Sequence, residues 1–334
     1  MGWRGALRTL GAIAREAERN AKRQQRALEQ HRTALARAEA SQHAAQAVQD
    51  FEDYLANLVS IHKSRPDVVA WSTLATASPP REPSRSDAEE EHARHRLNSY
   101  RPSVFARLFH QDNKRKAELA QEVAAAQGRD EARYRTEMQA YETRLQEYND
   151  QKELAEQVLT RDPEAMLEVI SARNPFTAIS GLGSAIDFTI VHGRRVAADL
   201  AVHGESIIPK ETVSLLKSGR ASVKQMPKAQ YYRLYQDYVC SAALRVAREL
   251  FALLPIEDVV ITALDKIVSS KTGHLEEQPI LSVLIPRDTI AQLNLDVLDP
   301  SDSMQNFLHR MDFRQTTGFR PVERLNAEHV GQAS

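Results

Sequence analysis

Glycine and proline are nearly absent from two long stretches of this chain. Residues 12–65 contain neither, and residues 103–162 contain only Gly128. Both stretches are rich in alanine, arginine, glutamate, glutamine and leucine, which are the strongest helix formers. The pattern predicts one long helix over residues 1–62, with a basic N-terminal part, and a second long helix within residues 101–172.

Cysteine and long apolar runs are also scarce. The 334-residue chain has one cysteine, Cys240, so an internal disulfide framework is excluded. Because Cys240 lies in an apolar helical pattern, we expect a buried, inert thiol. No apolar run approaches the roughly 18 residues of a transmembrane helix, and no secretory signal is evident. We therefore expect a cytoplasmic protein, and the alanine- and arginine-rich composition suggests a bacterial one.

The chain has little net charge and few aromatic residues. Its formal net charge is −1, and aromatic residues make up 6% of the sequence. No global field attracts nucleic acid or membrane, so any such attraction must be local. The length fits two domains, or one domain plus an extended element. The predicted fold class is α+β: a long N-terminal helical region, forming a coiled-coil hairpin, followed by a compact C-terminal α/β domain with a mostly antiparallel sheet.

An apolar stripe on the second long helix is the clearest periodic feature. Its members alternate in steps of four and three, as in a coiled-coil seam. They are Tyr134, Met138, Tyr141, Leu145 and Tyr148. We expect this stripe to be an interface. Its partner is either the Val48–Leu58 stretch of the same chain, which we favour, or the same helix of a second subunit in a homo-oligomer.

Residues 63–100 are predicted to form a linker and a short helix. Three prolines exclude a helix within residues 75–87, which contain too little apolar surface to fold alone. Acidic side chains at residues 87–91 then favour a helix start, because carboxylates stabilise the positive end of the helix dipole.

From about residue 175 the sequence changes to β-branched runs separated by turn residues. These features predict an α/β domain over residues 175–325 and a tail at 326–334. The predicted elements are hairpins at 185–202, 213–223 and 258–285, a helix from Pro227 to Leu254, and a short helix from Asp299 through His309.

Several motifs that carry chemistry are missing. Gly181 and Gly183 lack the third glycine and the βα context of a dinucleotide site. No cysteine and histidine spacing suits zinc, and no serine lies in a G-x-S-x-G context. We expect neither a cofactor nor a bound metal, and the patterns favour a role without catalysis.

Four carboxylates in the last hairpin are the weak exception. They are Asp258, Asp265, Glu276 and Glu277. Carboxylates gathered on adjacent strands can hold Mg²⁺ for phosphodiester cleavage. The arrangement loosely resembles the restriction-endonuclease core, which implies an acidic residue and a lysine two positions apart on the second strand. Here Glu277 is followed by Gln278 and Pro279, so the lysine is missing. A divergent magnesium-dependent nuclease is one alternative function, and carboxylates that merely solvate the hairpin are the plainer interpretation.

Two local basic patches favour a nucleic-acid-binding protein as another hypothesis. Residues 1–38 hold nine lysines and arginines against three acids. This segment fits a solvated helix face, nucleic-acid phosphates or, through residues 1–20, an anionic membrane surface. The second patch, at 210–228, is followed by two tyrosines, and basic residues beside aromatic rings can bind phosphates and stack bases. Its members are Lys217, Arg220, Lys224, Lys228, Tyr231 and Tyr232. A hairpin edge kept soluble by lysine explains the same residues.

Taken together, these patterns predict a structural or interaction protein. The helical arm sets spacing or drives self-association, and the α/β domain recognises a protein partner. A nucleic-acid-binding protein or effector subunit that uses the two basic patches is the second hypothesis.

Overall fold

The computed structural model of the chain describes residues 42–101, 111–176, 185–202, 207–269 and 271–330. Most of the first predicted helix and the whole basic patch at 1–38 therefore lie outside the described residues. The chain divides into two units. We call Met1–Val68 together with Leu167–Ser334 the sheet unit, and Val69–Met166 the helical unit.

Seven helices and eight strands are described, with two 3₁₀ turns. The helices are α1 (residues 42–60), α2 (Trp71–Ala75), α3 (Ala88–Ser99), α4 (Gln111–Leu159), α5 (Pro163–Arg173), α6 (Lys228–Leu253) and α7 (Arg287–Ala291). The 3₁₀ turns are η1 (Ile61–Lys63) and η2 (Asp302–Asn306). The strands are β1 (Ala185–Val191), β2 (Arg195–Ala201), β3 (Glu211–Leu215), β4 (Ala221–Gln225), β5 (Asp258–Val268), β6 (Leu275–Pro286), β7 (Leu308–Arg314) and β8 (Gly318–Arg320).

The predicted fold class is confirmed, because a long helix accompanies a mixed, mostly antiparallel six-stranded sheet. The strand order is β1-β2-β5-β6-β7-β8. Strands β2 and β5 are parallel, and the other neighbouring pairs are antiparallel. A parallel pair needs a crossover connection, which here contains β3, β4 and α6. The coiled-coil hairpin of the prediction is not confirmed.

The core of the sheet unit lies between α6 and the sheet. Alternate residues of β2, namely Val196, Ala198 and Leu200, are almost completely buried. Residues 259–264 of β5 are buried on both faces, as an apolar run in a central strand predicts. Tyr238 in the middle of α6 is fully buried.

The opposite face of the sheet is crossed by the segment 321–330. Asp199, Thr262 and Ser282 are paired across β2, β5 and β6, so they share this face. Arg324 binds both carboxylate oxygens of Asp199, at 2.6 and 2.8 Å, and the Leu325 N–H donates to Ser282 Oγ at 3.0 Å. The predicted tail therefore contributes contacts to the sheet at least as far as Val330.

The predicted short helix ending at His309 is wrong in its second half. Asp299 caps the turn as expected, accepting hydrogen bonds from the backbone of Ser301 and Asp302. The turn ends with η2, however, and Leu308–Arg314 form β7. Residues 309, 311 and 313 alternate with more exposed neighbours, which is strand periodicity, and β7 pairs with β6.

In the helical unit, α3 packs antiparallel to α4. Glu89 pairs with Arg129 at 2.6 Å, whereas Arg96, further along α3, pairs with Glu122, which is earlier in α4. The backbone N–H of Glu90 donates to the buried Asp130 carboxylate at 2.9 Å, and this caps the start of α3. The acidic start of α3 is thus where the sequence predicts it.

The proline-rich segment 76–87 follows α4 beside the predicted stripe. The Tyr148 hydroxyl donates to the Ala77 carbonyl at 2.8 Å, and Arg133 donates to the Ser86 carbonyl at 3.1 Å. These two anchors bracket the helix residues from Tyr134 to Tyr148. Pro80 and Pro83, three positions apart, are half-buried. A polyproline helix has three residues per turn, so both prolines can present one ridge to the stripe.

Gly128 offers a simple test of the geometry of α4. It lies in the helix interior, and a Cβ atom there would contact nothing within 4 Å. Gly128→Ala should therefore stabilise the helical unit by about 0.5–1 kcal/mol, because alanine loses less backbone entropy on folding. Thermal denaturation followed by circular dichroism measures this change.

Gly273→Ala is the matched control for that prediction. Gly273 is equally open, but its φ of +72° is a conformation that an alanine adopts only with strain. This substitution should destabilise the sheet unit. A stabilising effect of both alanines, or of neither, would contradict the conformations described for the two glycines.

Candidate functional site

The four candidate carboxylates are not gathered into a metal site. Asp258 and Asp265 are seven residues apart on β5, which corresponds to about 23 Å along a strand. Both carboxylate oxygens of Asp258 accept hydrogen bonds from Arg195, the second at 2.8 Å. Arg195 in turn donates to the carbonyls of Ala327 and Val330. Asp258 therefore belongs to an ion pair that fixes the C-terminal segment.

Asp265 and Glu276 have other hydrogen-bond partners, and Glu277 is exposed. Asp265 accepts hydrogen bonds from the Tyr235 hydroxyl and the Lys266 backbone. Burial, followed by the neighbouring Asp265 charge, raises the pKa of Tyr235. Glu276 accepts from Thr272, and exposed Glu277 lies opposite Lys266 in the strand register. In the part of the chain that is described, no three acidic, histidine or cysteine side chains are grouped to hold a metal ion.

The second basic patch lies on a projecting hairpin. Strands β3 and β4 form a two-stranded sheet of their own. Lys217 and Arg220 flank its turn, Lys224 lies on β4, and all three side chains are exposed. Lys228 is exposed at the first position of α6. The four predicted cations are therefore all exposed on the hairpin or at the start of α6, and their action as one binding surface stays a prediction.

Apolar side chains are exposed on the same hairpin. Leu215 is 47% exposed, Leu216 45% and Val223 57%. A two-stranded ribbon without a covered face is marginally stable on its own. Exposed apolar side chains beside cations therefore distinguish this hairpin from an ordinary solvated edge. We call these three residues together with Lys217, Arg220 and Lys224 the hairpin surface. It covers both faces of the ribbon, because the register places Leu215 and Val223 on one face and Lys224 on the other.

The two tyrosines of the predicted patch are directed partly into the fold. Both are half-buried, and their rings meet edge to face with centroids 5.4 Å apart. Tyr232 also packs so closely on Gly318 that a Cβ atom at that glycine would lie 2.7 Å from the ring. Part of the Tyr232 ring is therefore occupied, which leaves less of it for stacking on a base.

A buried histidine and serine pair was missed by the sequence interpretation. Ser241 Oγ accepts a hydrogen bond from the His62 backbone at 3.2 Å and lies 2.7 Å from His62 Nδ1. Both residues are fully buried. Burial, and then Lys63, lower the pKa of His62, against an opposing interaction with the Leu295 backbone. A neutral ring whose Nδ1 accepts from the serine hydroxyl fits this contact, whereas the buried Nε2 of His62 has no hydrogen bond of good geometry among the described residues.

This pair lacks the features of a catalytic nucleophile. Asp237 lies one helical turn before Ser241, so the residue types match a serine hydrolase triad. Ser241 is fully buried in the middle of α6, where a substrate cannot reach it. His62 and Ser241 are therefore a polar core contact that joins η1 to α6. Cys240 beside them is buried as predicted, and burial raises its pKa well above the ordinary thiol value.

The stripe residues of α4 are half-buried, as a packed surface would be. Their contacts within the helical unit include the segment 76–87, through the Tyr148 hydroxyl. The Val48–Leu58 stretch belongs to the sheet unit. The predicted pairing of the stripe with that stretch, or with a second subunit, stays a prediction. The Gly181–Ser184 motif lies outside the described residues.

Among the described helices, none is both long enough and apolar enough to cross a bilayer. No protein-family model, curated protein or solved structure matches this chain.

Proposed function

We propose that this chain is an interaction protein of the cytoplasm. The helical arm sets spacing or supports self-association, and the sheet unit binds a protein partner. The observation that supports this proposal best is the hairpin surface, because it combines exposed apolar side chains with cations on an element outside the main sheet.

The composition of the hairpin surface indicates the chemistry of the partner. Leucine and valine gain free energy when a partner covers them, about 25 cal/mol for each Å² of apolar surface removed from water. Lys217, Arg220 and Lys224 would attract a partner of negative charge and orient it. The outer backbone edges of β3 and β4, which pair with no further strand in the part of the chain that is described, can pair with an added strand. The expected partner is therefore an acidic polypeptide segment with apolar side chains at alternate positions.

Nucleic acid is the second candidate, favoured by the four exposed cations. Phosphate binding needs the charges but not Leu215, Leu216 or Val223. The two candidates therefore differ in which substitutions weaken binding. They also differ in salt dependence. Binding to nucleic acid releases counterions from the phosphates, and this release is less favourable at high salt, so the affinity falls steeply as salt is added.

The test uses two double variants of the full-length chain. The apolar variant carries Leu215→Ser and Val223→Ser, and the charge variant carries Lys217→Gln and Lys224→Gln. For a protein partner, both variants should lower its quantitative co-purification at least about tenfold, since each removes part of one interface. Val297→Ser is the control, because Val297 is 77% exposed and lies outside the hairpin.

Binding to a fluorescent single-stranded oligonucleotide separates the alternatives. A salt-dependent interaction that the charge variant loses and the apolar variant keeps would favour nucleic acid and contradict the protein-partner proposal. If neither double variant changes co-purification relative to Val297→Ser, the hairpin is not the recognition surface.

A further inference from the structure

The sheet unit contains a cavity of about 310 Å³ that is lined by three arginines. Its walls come from three places in the sequence. The segment after η1 contributes Arg65, Pro66 and Asp67, and the chain at the end of α5 contributes Arg173 and Pro175. One face of α6 contributes Arg245, Glu249 and Leu253, which are spaced four residues apart.

An ion pair and a hydrogen bond hold the two charged side chains that α6 contributes to the cavity. Arg245 and Glu249 form an ion pair, and their side chains are only 11% and 6% exposed. Arg245 also donates to the Ser64 carbonyl at 2.6 Å. These contacts hold the Arg245 guanidinium in one position. Burial raises the pKa of Glu249, against the opposing charges of Arg245 and Arg248.

The two other arginines of the lining are exposed to solvent. Arg65 and Arg173 are exposed residues, and neither has an ion-pair partner among the described residues. Asp67 is the remaining carboxylate at the cavity, because Glu249 is already paired with Arg245. The lining thus holds three guanidinium groups against two carboxylates, and two of the three cations are available to a ligand.

We propose that this cavity binds a small phosphorylated molecule through Arg65 and Arg173, with Arg245 as a fixed third cation. Guanidinium groups present paired N–H donors that match phosphate oxygens, and each charge-assisted hydrogen bond is stronger than a neutral one. The apolar side chains of Pro66, Pro175 and Leu253 supply a wall for the organic part of the ligand.

The size and charge of the cavity limit the ligand class. Its volume is near the lower end of the roughly 300–1,000 Å³ of ligand pockets, which suits a phosphate with a small attached group. A cationic ligand is disfavoured, because Arg245 and Glu249 neutralise each other and the remaining lining holds two arginines, Arg65 and Arg173, against one carboxylate, Asp67. Carboxylate ligands also bind guanidinium groups through negatively charged oxygens, so the experiment compares phosphate and carboxylate ligands directly.

The experiment is isothermal titration calorimetry of the full-length chain in phosphate-free, low-salt buffer. Inorganic pyrophosphate should bind at one site per chain and should bind more tightly than citrate. Arg65→Gln and Arg173→Gln should each weaken pyrophosphate binding about tenfold or more, the loss expected for one charge-assisted group. Both side chains are exposed, so the variants should melt at the wild-type temperature without ligand.

Arg194→Gln is the control of equal charge. Arg194 is 67% exposed and pairs with Glu257 at 3.7 Å, outside the cavity. It should leave pyrophosphate binding unchanged. Failure of pyrophosphate to bind at millimolar concentration would overturn the proposal, and so would an equal loss in Arg194→Gln. Tighter binding of citrate than of pyrophosphate would overturn the assignment to phosphorylated ligands. These outcomes are independent of the hairpin surface.

Discussion

Replacing Tyr141 and Leu145 together by aspartate should unfold the helical unit. Both side chains are half-buried on the stripe of α4, between the two anchors of the segment 76–87. Burying a large apolar side chain contributes about 1.5–3 kcal/mol, and a buried unpaired carboxylate costs more than is lost with the apolar group. The double substitution should therefore lower the free energy of unfolding by about 3 kcal/mol or more. That loss is large for a unit in which only short elements pack on α4.

Far-ultraviolet circular dichroism measures the effect as lost helical signal. Gln139→Asp with Thr143→Asp is the matched control, since these residues have the same spacing and are exposed on another face of α4. The control should retain the wild-type helix content. Near-ultraviolet signals from the sheet unit should persist in both proteins. Undiminished helix content in the Tyr141 and Leu145 variant would show that the stripe is not a packing surface.

Acidification should destabilise the sheet unit through His62. The pKa of His62 is lowered in the folded protein, mainly by burial, so folding favours the neutral ring. Above the ordinary histidine pKa of about 6.5, both states are neutral and the full stability is present. As the pH falls below that value, the unfolded chain binds a proton first, and stability is lost until the pH reaches the folded-state pKa. The loss by pH 5 is at most about 2 kcal/mol.

A comparison with His62→Gln isolates this effect. Asp237 and Glu249 change the stability in the opposite direction. Burial raises the pKa of each carboxyl in the folded protein, so each of them adds to the stability of the folded protein as the pH falls. Their contributions cancel in the difference between the two proteins. Urea denaturation between pH 7 and pH 5 should show the wild type losing stability relative to His62→Gln. A constant difference across this range would contradict the buried neutral histidine.

Much of the sheet unit could be predicted because its signals are local. The turn residues between β1 and β2, the apolar run in β6 and the apolar residues of α6 each lie within a short window of sequence. The predicted helix was wrong at Leu308 and His309, where β7 begins, because a turn capped by Asp299 was extended into a helix. The alternation of His309, Met311 and Phe313 was a weaker signal, and pairing with β6 decides it.

The surroundings of the α4 stripe could not be predicted from the sequence, because they depend on tertiary structure. The prolines of 75–87 correctly argued against a helix, but an extended segment also buries surface when its ridge faces an aromatic stripe. The spacing pattern of α4 alone predicts a covered surface and does not identify what covers it. The hydrogen bonds to the Ala77 and Ser86 carbonyls place the segment 76–87 beside the stripe, and the partner predicted for the stripe stays a prediction.

The candidate sites also include features that local sequence predicts and features that only the folded chain brings together. The hairpin cations are close in sequence, and all of them are exposed on the hairpin or at the start of α6. His62 and Ser241 are separated by 179 positions, and no pattern relates them before the chain is folded. The separation of Asp258 and Asp265 could, by contrast, have been predicted from the sequence. Seven residues of strand are already longer than the distance between two ligands of one metal ion.

The claim that the hairpin surface recognises a partner is tested most directly by site-specific photo-crosslinking in cells. A photoreactive amino acid at Val223 should give a discrete covalent adduct, and the same group at Val297 should not. Adding Lys217→Gln and Lys224→Gln should remove the Val223 adduct, and mass spectrometry should identify an acidic polypeptide in it. Identical patterns from Val223 and Val297, or an adduct that persists without the two lysines, would contradict the account.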